Sequence, residues 1–303
     1  MKKGIFIDGK LIITPITIST ICGHWGTGLM PLAFRPDYLS FLKLVRDTGT
    51  TELVKSSTYE FRRGNFIWYD TYKWKYAQKI GQNSMLNAYS HTNLGIKTNA
   101  KMMAIARNLG FNVVPNFAPD FSKETEDVIA EALYAVEMAA ANGFMIMELV
   151  PSCSNRNYDI KKNIIATANC IKAVKKKYPE VTIIIKKGLQ HPTEAVQEWE
   201  KAGMDILHGI NAVSYTNIFP NKTSPLQNVG GGAISGTIIA ETALEDNIKS
   251  RKAYSGPMIF GGGIGNVDQA LKCFDCGANA VSSCTGVRYN MPEAKRMIKK
   301  FNL

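Results

Sequence analysis

Phe144-Met-Ile-Met-Glu-Leu-Val-Pro-Ser-Cys-Ser-Asn155 is the stretch on which the reading of this chain turns. Residues 144–150 are short, apolar and bounded by Gly143 and Pro151, the pattern of a strand buried on both faces rather than of a helix. The run stops at a small polar loop that carries Cys153 and Asn155. Loops at the C-terminal ends of parallel strands are where α/β proteins place their chemistry. A lone free cysteine is ordinarily a small buried hydrophobe, so the rest of the chain has to decide what Cys153 is for.

On either side the same unit recurs: a short apolar strand, a polar loop, an amphipathic helix. Strands are expected at residues 15–20, 52–56, 112–117, 144–150, 181–186, 206–213, 258–261 and 280–283, and helices at 38–46, 99–109, 123–141, 161–178, 193–202, 236–247, 267–276 and 291–301. Strict alternation of this kind argues for an α/β fold with a parallel sheet, and eight units argue for a (β/α)8 barrel as one domain over residues 1–303. Asp8-Gly9 marks the turn of an N-terminal β-hairpin over residues 4–13. Two connections, 57–95 and 214–232, are too long for turns, and each follows a strand. They are expected to be lid loops on the C-terminal face.

Composition removes several classes. The net charge is +11, but the lysines are spread along the helices without an arginine-aromatic cluster, which suits a solvated basic surface or anionic small ligands better than nucleic acid. Six cysteines scattered over 303 residues make no disulfide framework. Cys273 and Cys276 have the spacing of a metal or redox pair but no second pair, so no metal site is expected. No apolar run reaches the roughly 18 residues of a membrane span. The N-terminal apolar run is too short for a signal peptide, so a cytoplasmic protein is expected.

Glycine clusters fall late in the chain, in Gly230-Gly-Gly-Ala-Ile-Ser-Gly236 and Gly261-Gly-Gly-Ile-Gly265, followed by Ser282-Ser-Cys-Thr-Gly286. Glycine alone can simply shape tight turns. Three such loops near the last two strands of a barrel suit a phosphate cradle, because bare backbone N–H groups and helix N-termini favour an anion.

Further motifs carry a resemblance. Glu52-Leu-Val-Lys-Ser-Ser-Thr58, Arg62-Arg-Gly-Asn65, Asn83-Ser-Met-Leu-Asn87, Glu148-Leu-Val-Pro-Ser-Cys-Ser-Asn155, Ile185-Lys186 and Ile210-Asn-Ala-Val213 stand in this order on the expected strands and loops. Together with the glycine loops they resemble the dihydroorotate dehydrogenase family of FMN-dependent barrels, in its cysteine-base branch. The resemblance implies hydride transfer between flavin and a C–C bond beside a carbonyl, with dihydroorotate as the default substrate and Cys153 as the acid/base. It implies substrate contacts from Asn83, Asn155, Asn211 and Lys55. FMN contacts would come from Thr20, Lys55, Ser56, Lys186, Asn211, Ser235, Gly236, Gly262, Gly263, Cys284 and Thr285. Lys187 rivals Lys186, since one position decides which points inward.

Three positions depart from the family's pattern. Val150 stands where the family has an asparagine, Ser154 where it has a proline, and Ala212 where a hydroxyl is usual. Losing an amide removes about 1–3 kcal/mol of discrimination for a polar substrate edge, so a non-orotate flavin dehydrogenase or ene-reductase stays open as an alternative. So do a tRNA-dihydrouridine synthase, which would use the positive charge, and a barrel that binds flavin without turnover. The electron acceptor is left unidentified, and the resemblance allows a homodimer.

Overall fold

A computed structural model describes residues 3–28, 32–65, 71–151 and 159–303. Its central sheet is parallel, built from β1 (Ile16–Ser19), β2 (Thr51–Leu53), β3 (Asn112–Val114, resuming at Asn116–Phe117), β4 (Ile146–Leu149), β5 (Thr182–Lys186), β6 (Ile206–His208), β7 (Met258–Phe260) and β8 (Ala280–Ser283). Each expected strand is present. β8 pairs with β1, and β3 pairs with β2 through its first half and with β4 through its second, so the sheet curls into a TIM barrel. The handover falls at Pro115, which has no N–H to give to a ladder but whose carbonyl accepts from Glu148 N at 2.8 Å.

Among the described residues, eight α-helices of nine residues or more pack around the sheet: α1 (Pro36–Asp47), α2 (Ile96–Asn108), α3 (Thr125–Ala141), α4 (Ile160–Lys177), α5 (Thr193–Ala202), α6 (Ala240–Ala253), α7 (Val267–Asp275) and α8 (Met291–Phe301). None of the described helices is long and apolar enough to cross a membrane. Asn302, just beyond α8, clasps the first strand: its side chain accepts from Ile16 N and donates to Ile16 O, both at 2.9 Å.

Strand alternation sorts the side chains. Ile18, Val113, Leu149, Ile183, Leu207 and Phe260 point outward into the helix layer. Leu53, Val114, Ile184, Ile206, Ile259 and Ala280 point inward as an apolar layer, closed from below by Ile5 and Ile13 of the hairpin Ile5–Ile7 and Lys10–Ile13. Asp8 and Gly9 form its turn with φ of 49° and 78°, the left-handed pair that a tight hairpin needs. One register step above the apolar layer the inward positions become polar: Thr17, Asn116, Glu148, Lys186, His208 and Ser282, all buried.

Two expectations need correcting. The strand expected over 206–213 ends at His208, after which the chain climbs away and Val213–Ser214 joins a different sheet. The helix expected over 236–247 begins later, because Ala233–Gly236 is a strand. These segments pair antiparallel with Ser84–Asn87 and Ala77–Lys79 in a four-stranded roof sheet drawn from the two long lids. Gly236 sits at φ 102°, and a Cβ there would lie 2.2 Å from Asn83 O, so the pairing requires glycine.

Two histidines in loops after strands, the partly buried His24 and the buried His191, set a pH dependence. Burial and the nearby Lys55 hold His24 down to about 3, and burial with Lys187 nearby holds His191, which packs edge-on to Trp199, down to about 4. Both stay neutral in the native state where the unfolded chain, near pH 6.5, takes up protons, so each contributes stability that is lost as pH falls below about 6.5. Buried Glu52 opposes this, since burial holds its carboxyl protonated well above the usual range. A variant therefore isolates one group. His191→Gln is expected to reduce the slope of unfolding free energy between pH 6.5 and 5 by up to about 1.4 kcal/mol per pH unit. Urea midpoints across that range measure it, and an unchanged slope would count against the assignment.

Candidate active site

The polar layer below and the roof sheet above enclose a cavity at the C-terminal ends of the strands. Lys186, the last residue of β5, reaches into it while 7% exposed and donates from Nζ to Ser19 Oγ at 3.1 Å. Lys187 points the other way and pairs with Asp246 of α6 at 2.5 Å. The alternation that puts Ile184 inside and Ile185 outside decides between the two lysines.

Of the residues singled out from the sequence, Thr20, Lys186, Asn211, Ser235, Gly236, Gly262, Gly263, Cys284 and Thr285 line this one cavity. Lys55 is partly buried and not in the wall, with Nζ 5.8 Å from the centre of the ring of Tyr89, a wall residue. Ser56, next in the chain, is partly buried and not in the wall. Asn83 lies in the turn between two roof strands at φ 54°, while Asn87, four residues on, faces the cavity. Cys153, Ser154 and Asn155 lie outside the described residues. Val150 is buried at the end of β4, with its N–H donating to Phe117 O at 2.8 Å. Ala212 is in the wall, and its N–H donates to Asn211 Oδ1 at 3.0 Å.

One end of the cavity is made for an anion. Thr285 Oγ1 donates to Ser235 Oγ at 2.7 Å, tying together two of the loops. A Cβ on Gly263 would come within 2.5 Å of Ala240 Cα, so only glycine lets this loop lie against the start of α6. Among the described residues the backbone N–H groups of Gly262 and Gly263 meet no acceptor, which leaves them as donors for a bound oxyanion. Burial pushes the Cys284 thiol up, which keeps it neutral beside the cradle.

The floor is a buried network. Glu148 lies within 2.5 Å of His208 Nδ1 through one carboxylate oxygen and accepts from Asn116 Nδ2 through the other. Burial opposes charge on Glu148, but the hydrogen bonds donated by His208 and Asn116, with the Lys186 cation nearby, outweigh it and hold the carboxyl below its usual range. Burial, reinforced by Lys186, lowers His208, so the ring is neutral with Nδ1–H donating to Glu148. Asn116 Oδ1 and Thr17 Oγ1 have no partner among the described residues, two buried acceptors in the same layer.

Both ends of the loop that bears Cys153 are anchored. Pro151 O accepts from Asn163 Nδ2 at 3.1 Å, and Asn163 Oδ1 meets His191 Nε2 at 2.9 Å. At the far end Asp159 caps α4, its Oδ1 accepting from Lys161 N at 2.9 Å and Lys162 N at 3.2 Å.

Sequence reasoning gave no site role to Met85, Tyr89 or His208, and it passed over Arg288. Arg288 Nη1 reaches Met85 Sδ at 3.4 Å and Tyr89 OH at 3.5 Å, which fixes two wall residues from one guanidinium.

Comparison with known proteins agrees with this geometry. Over 288 residues the chain is 26% identical to the catalytic subunit of dihydroorotate dehydrogenase B (NAD(+)) from Parabacteroides distasonis, covering 93% of this chain and 86% of that one. The same-named subunit from Desulforamulus reducens is 28% identical over 201 residues, or 64% of this chain and 63% of its own length. A sequence profile for dihydroorotate dehydrogenase matches residues 43–302. The chain belongs to the dihydroorotate dehydrogenase family and is an oxidoreductase acting on CH–CH bonds.

Proposed function

We propose that residues 1–303 form one FMN-binding domain that oxidises dihydroorotate, or a close cyclic relative, at the carbons beside a carbonyl. The observation that carries this reading is the joining of a cationic wall and a glycine cradle in a single cavity: Lys186 at the end of β5, and Gly262 and Gly263 with bare N–H groups beside Ser235, Gly236 and Thr285. That donor set fits a flat ring system carrying a phosphate. When bound, FMN supplies the hydride acceptor.

The chain's own residues do the rest. Thr285, Ser235 and the glycine amides would hold the phosphate, with Thr20 and Cys284 lining the space for the flavin and Ser56 outside that wall. Lys186, whose ammonium reaches into the cavity, would supply a fixed cation to the negative charge that reduction builds on the flavin. Cys153 takes the proton from the substrate carbon. Asn155 and Asn211 orient the cyclic substrate with Lys55 on its rim, and Asn83 or its neighbour Asn87 closes the pocket from the roof. The two relatives are named as catalytic subunits of an NAD(+) enzyme, which supports a partner subunit through which electrons reach NAD+.

The purified protein is expected to be yellow and to release FMN on denaturation. Lys186→Ala should weaken flavin retention or lower its reduction potential, whereas Lys187→Ala should lower stability through the loss of the Asp246 pair and leave the flavin unaffected. Flavin content, redox titration and urea midpoints separate the two. A colourless protein that takes up no added FMN would sink the reading.

A further inference from the structure

His208 has no role in the reaction as derived above, yet it occupies the centre of the floor. It ends β6, directly beside Lys186 on β5 and Ile259 on β7 in the ladder, and it is 1% exposed. A hydrogen bond of 2.5 Å to Glu148 commits Nδ1 as a donor, so in the neutral ring the lone pair is on Nε2. Nε2 is turned toward Gly261: a Cβ built there would stand 3.0 Å from it, and both residues line the cavity. Glycine at 261 therefore keeps this nitrogen open to whatever the cavity holds.

Among the described residues two charged groups face the ring, and their signs are opposite. Glu148 approaches from β4 and Lys186 from β5. From β3 comes the neutral Asn116, from β7 Gly261, and from β8 Ser282. The three groups Lys186, Glu148 and His208 thus sum to zero when the ring is neutral. A new negative charge placed over this floor is unbalanced, and the nearest group able to answer it with a proton is His208.

We propose that His208, its tautomer fixed by Glu148, is a charge-balancing and positioning residue that takes a proton from solvent at Nε2 when the flavin above it becomes reduced and negatively charged. This rests on the flavin-binding reading. The step forms one N–H bond at Nε2 and breaks one O–H bond of the solvent acid that gives the proton; the two electrons, carried as hydride from substrate, belong to the reduction itself. Glu148 stays ionised throughout and holds the ring in place in both states.

The test uses FMN-loaded protein labelled with 15N-histidine and photoreduced with EDTA under anaerobic conditions at pH 7. The short Nδ1–H bond to a carboxylate gives a far-downfield proton that marks the His208 ring in the wild type, and His208→Gln, which keeps a donor toward Glu148, removes it. The oxidised protein is expected to show a neutral ring protonated at Nδ1 alone, and the reduced protein a ring protonated at both nitrogens. Proton uptake per flavin should be greater by one in the wild type than in His208→Gln. If that variant fails to fold, the wild-type spectrum alone decides. A ring that stays neutral on reduction overturns the inference while the flavin reading stands; a protein that takes up no FMN overturns both.

Discussion

Replacing Cys153 with alanine is expected to lower kcat by about 10²–10⁴-fold while leaving FMN content unchanged. The family's chemistry asks one group to remove a carbon-bound proton while hydride leaves, and that demand makes no contribution to holding the cofactor. A thiolate meets it near neutral pH because its unperturbed pKa is about 8.5 and a polar site lowers it. Cys153→Ser should keep a little activity that rises with pH, since a hydroxyl is a far weaker base. Steady-state rates and anaerobic flavin bleaching with dihydroorotate measure the loss. Turnover at the parent rate in Cys153→Ala would place the base elsewhere.

His208→Ala should cost about 1–3 kcal/mol of stability, because it removes the donor to one oxygen of the buried Glu148 carboxylate and leaves that oxygen unsatisfied inside the barrel. Asn116 and Lys186 remain near the carboxylate but do not replace the lost donor. His208→Gln, which keeps a donor toward Glu148, should restore much of the loss. Urea midpoints with an unchanged m-value report both effects. A His208→Ala variant within about 0.5 kcal/mol of the parent, the range of an ordinary surface substitution, would show that the floor network carries little.

Much of this architecture could be read from the chain. Apolar runs such as residues 181–186, punctuated by glycine and proline, give the eight barrel strands because each is buried on both faces and so needs no partner-specific signal. The glycine loops were legible because their backbones must approach other backbones. The roof sheet was not. Ser84–Asn87 and Ala233–Gly236 are four residues each, without alternation, and lie far apart in the chain, so only the tertiary arrangement selects them. Asn83 shows a different limit: the motif around it is present, but its left-handed backbone at φ 54° belongs to a turn and puts Asn87 in the wall instead. The glutamate in the apolar run of β4 drew no reading from the sequence, although a carboxylate buried there needs a donor partner. Naming that partner as His208 required the curvature that brings β4 and β6 within reach across β5.

The closure of β8 onto β1, clasped by Asn302, also bears on how the chain folds as it is made. Ile16 is made 286 residues before its hydrogen-bond partner Asn302. Until then β1 has an open edge and the nascent protein is an unfinished sheet, with apolar rows that water and other chains can reach. Closing so long a loop costs little more entropy than closing a shorter one, since the penalty grows only with the logarithm of length. What the ring costs is time: at about 5–20 residues per second, synthesis leaves that edge exposed for many seconds. A chain that stops before residue 280 lacks the strand that shuts the ring and keeps that edge open.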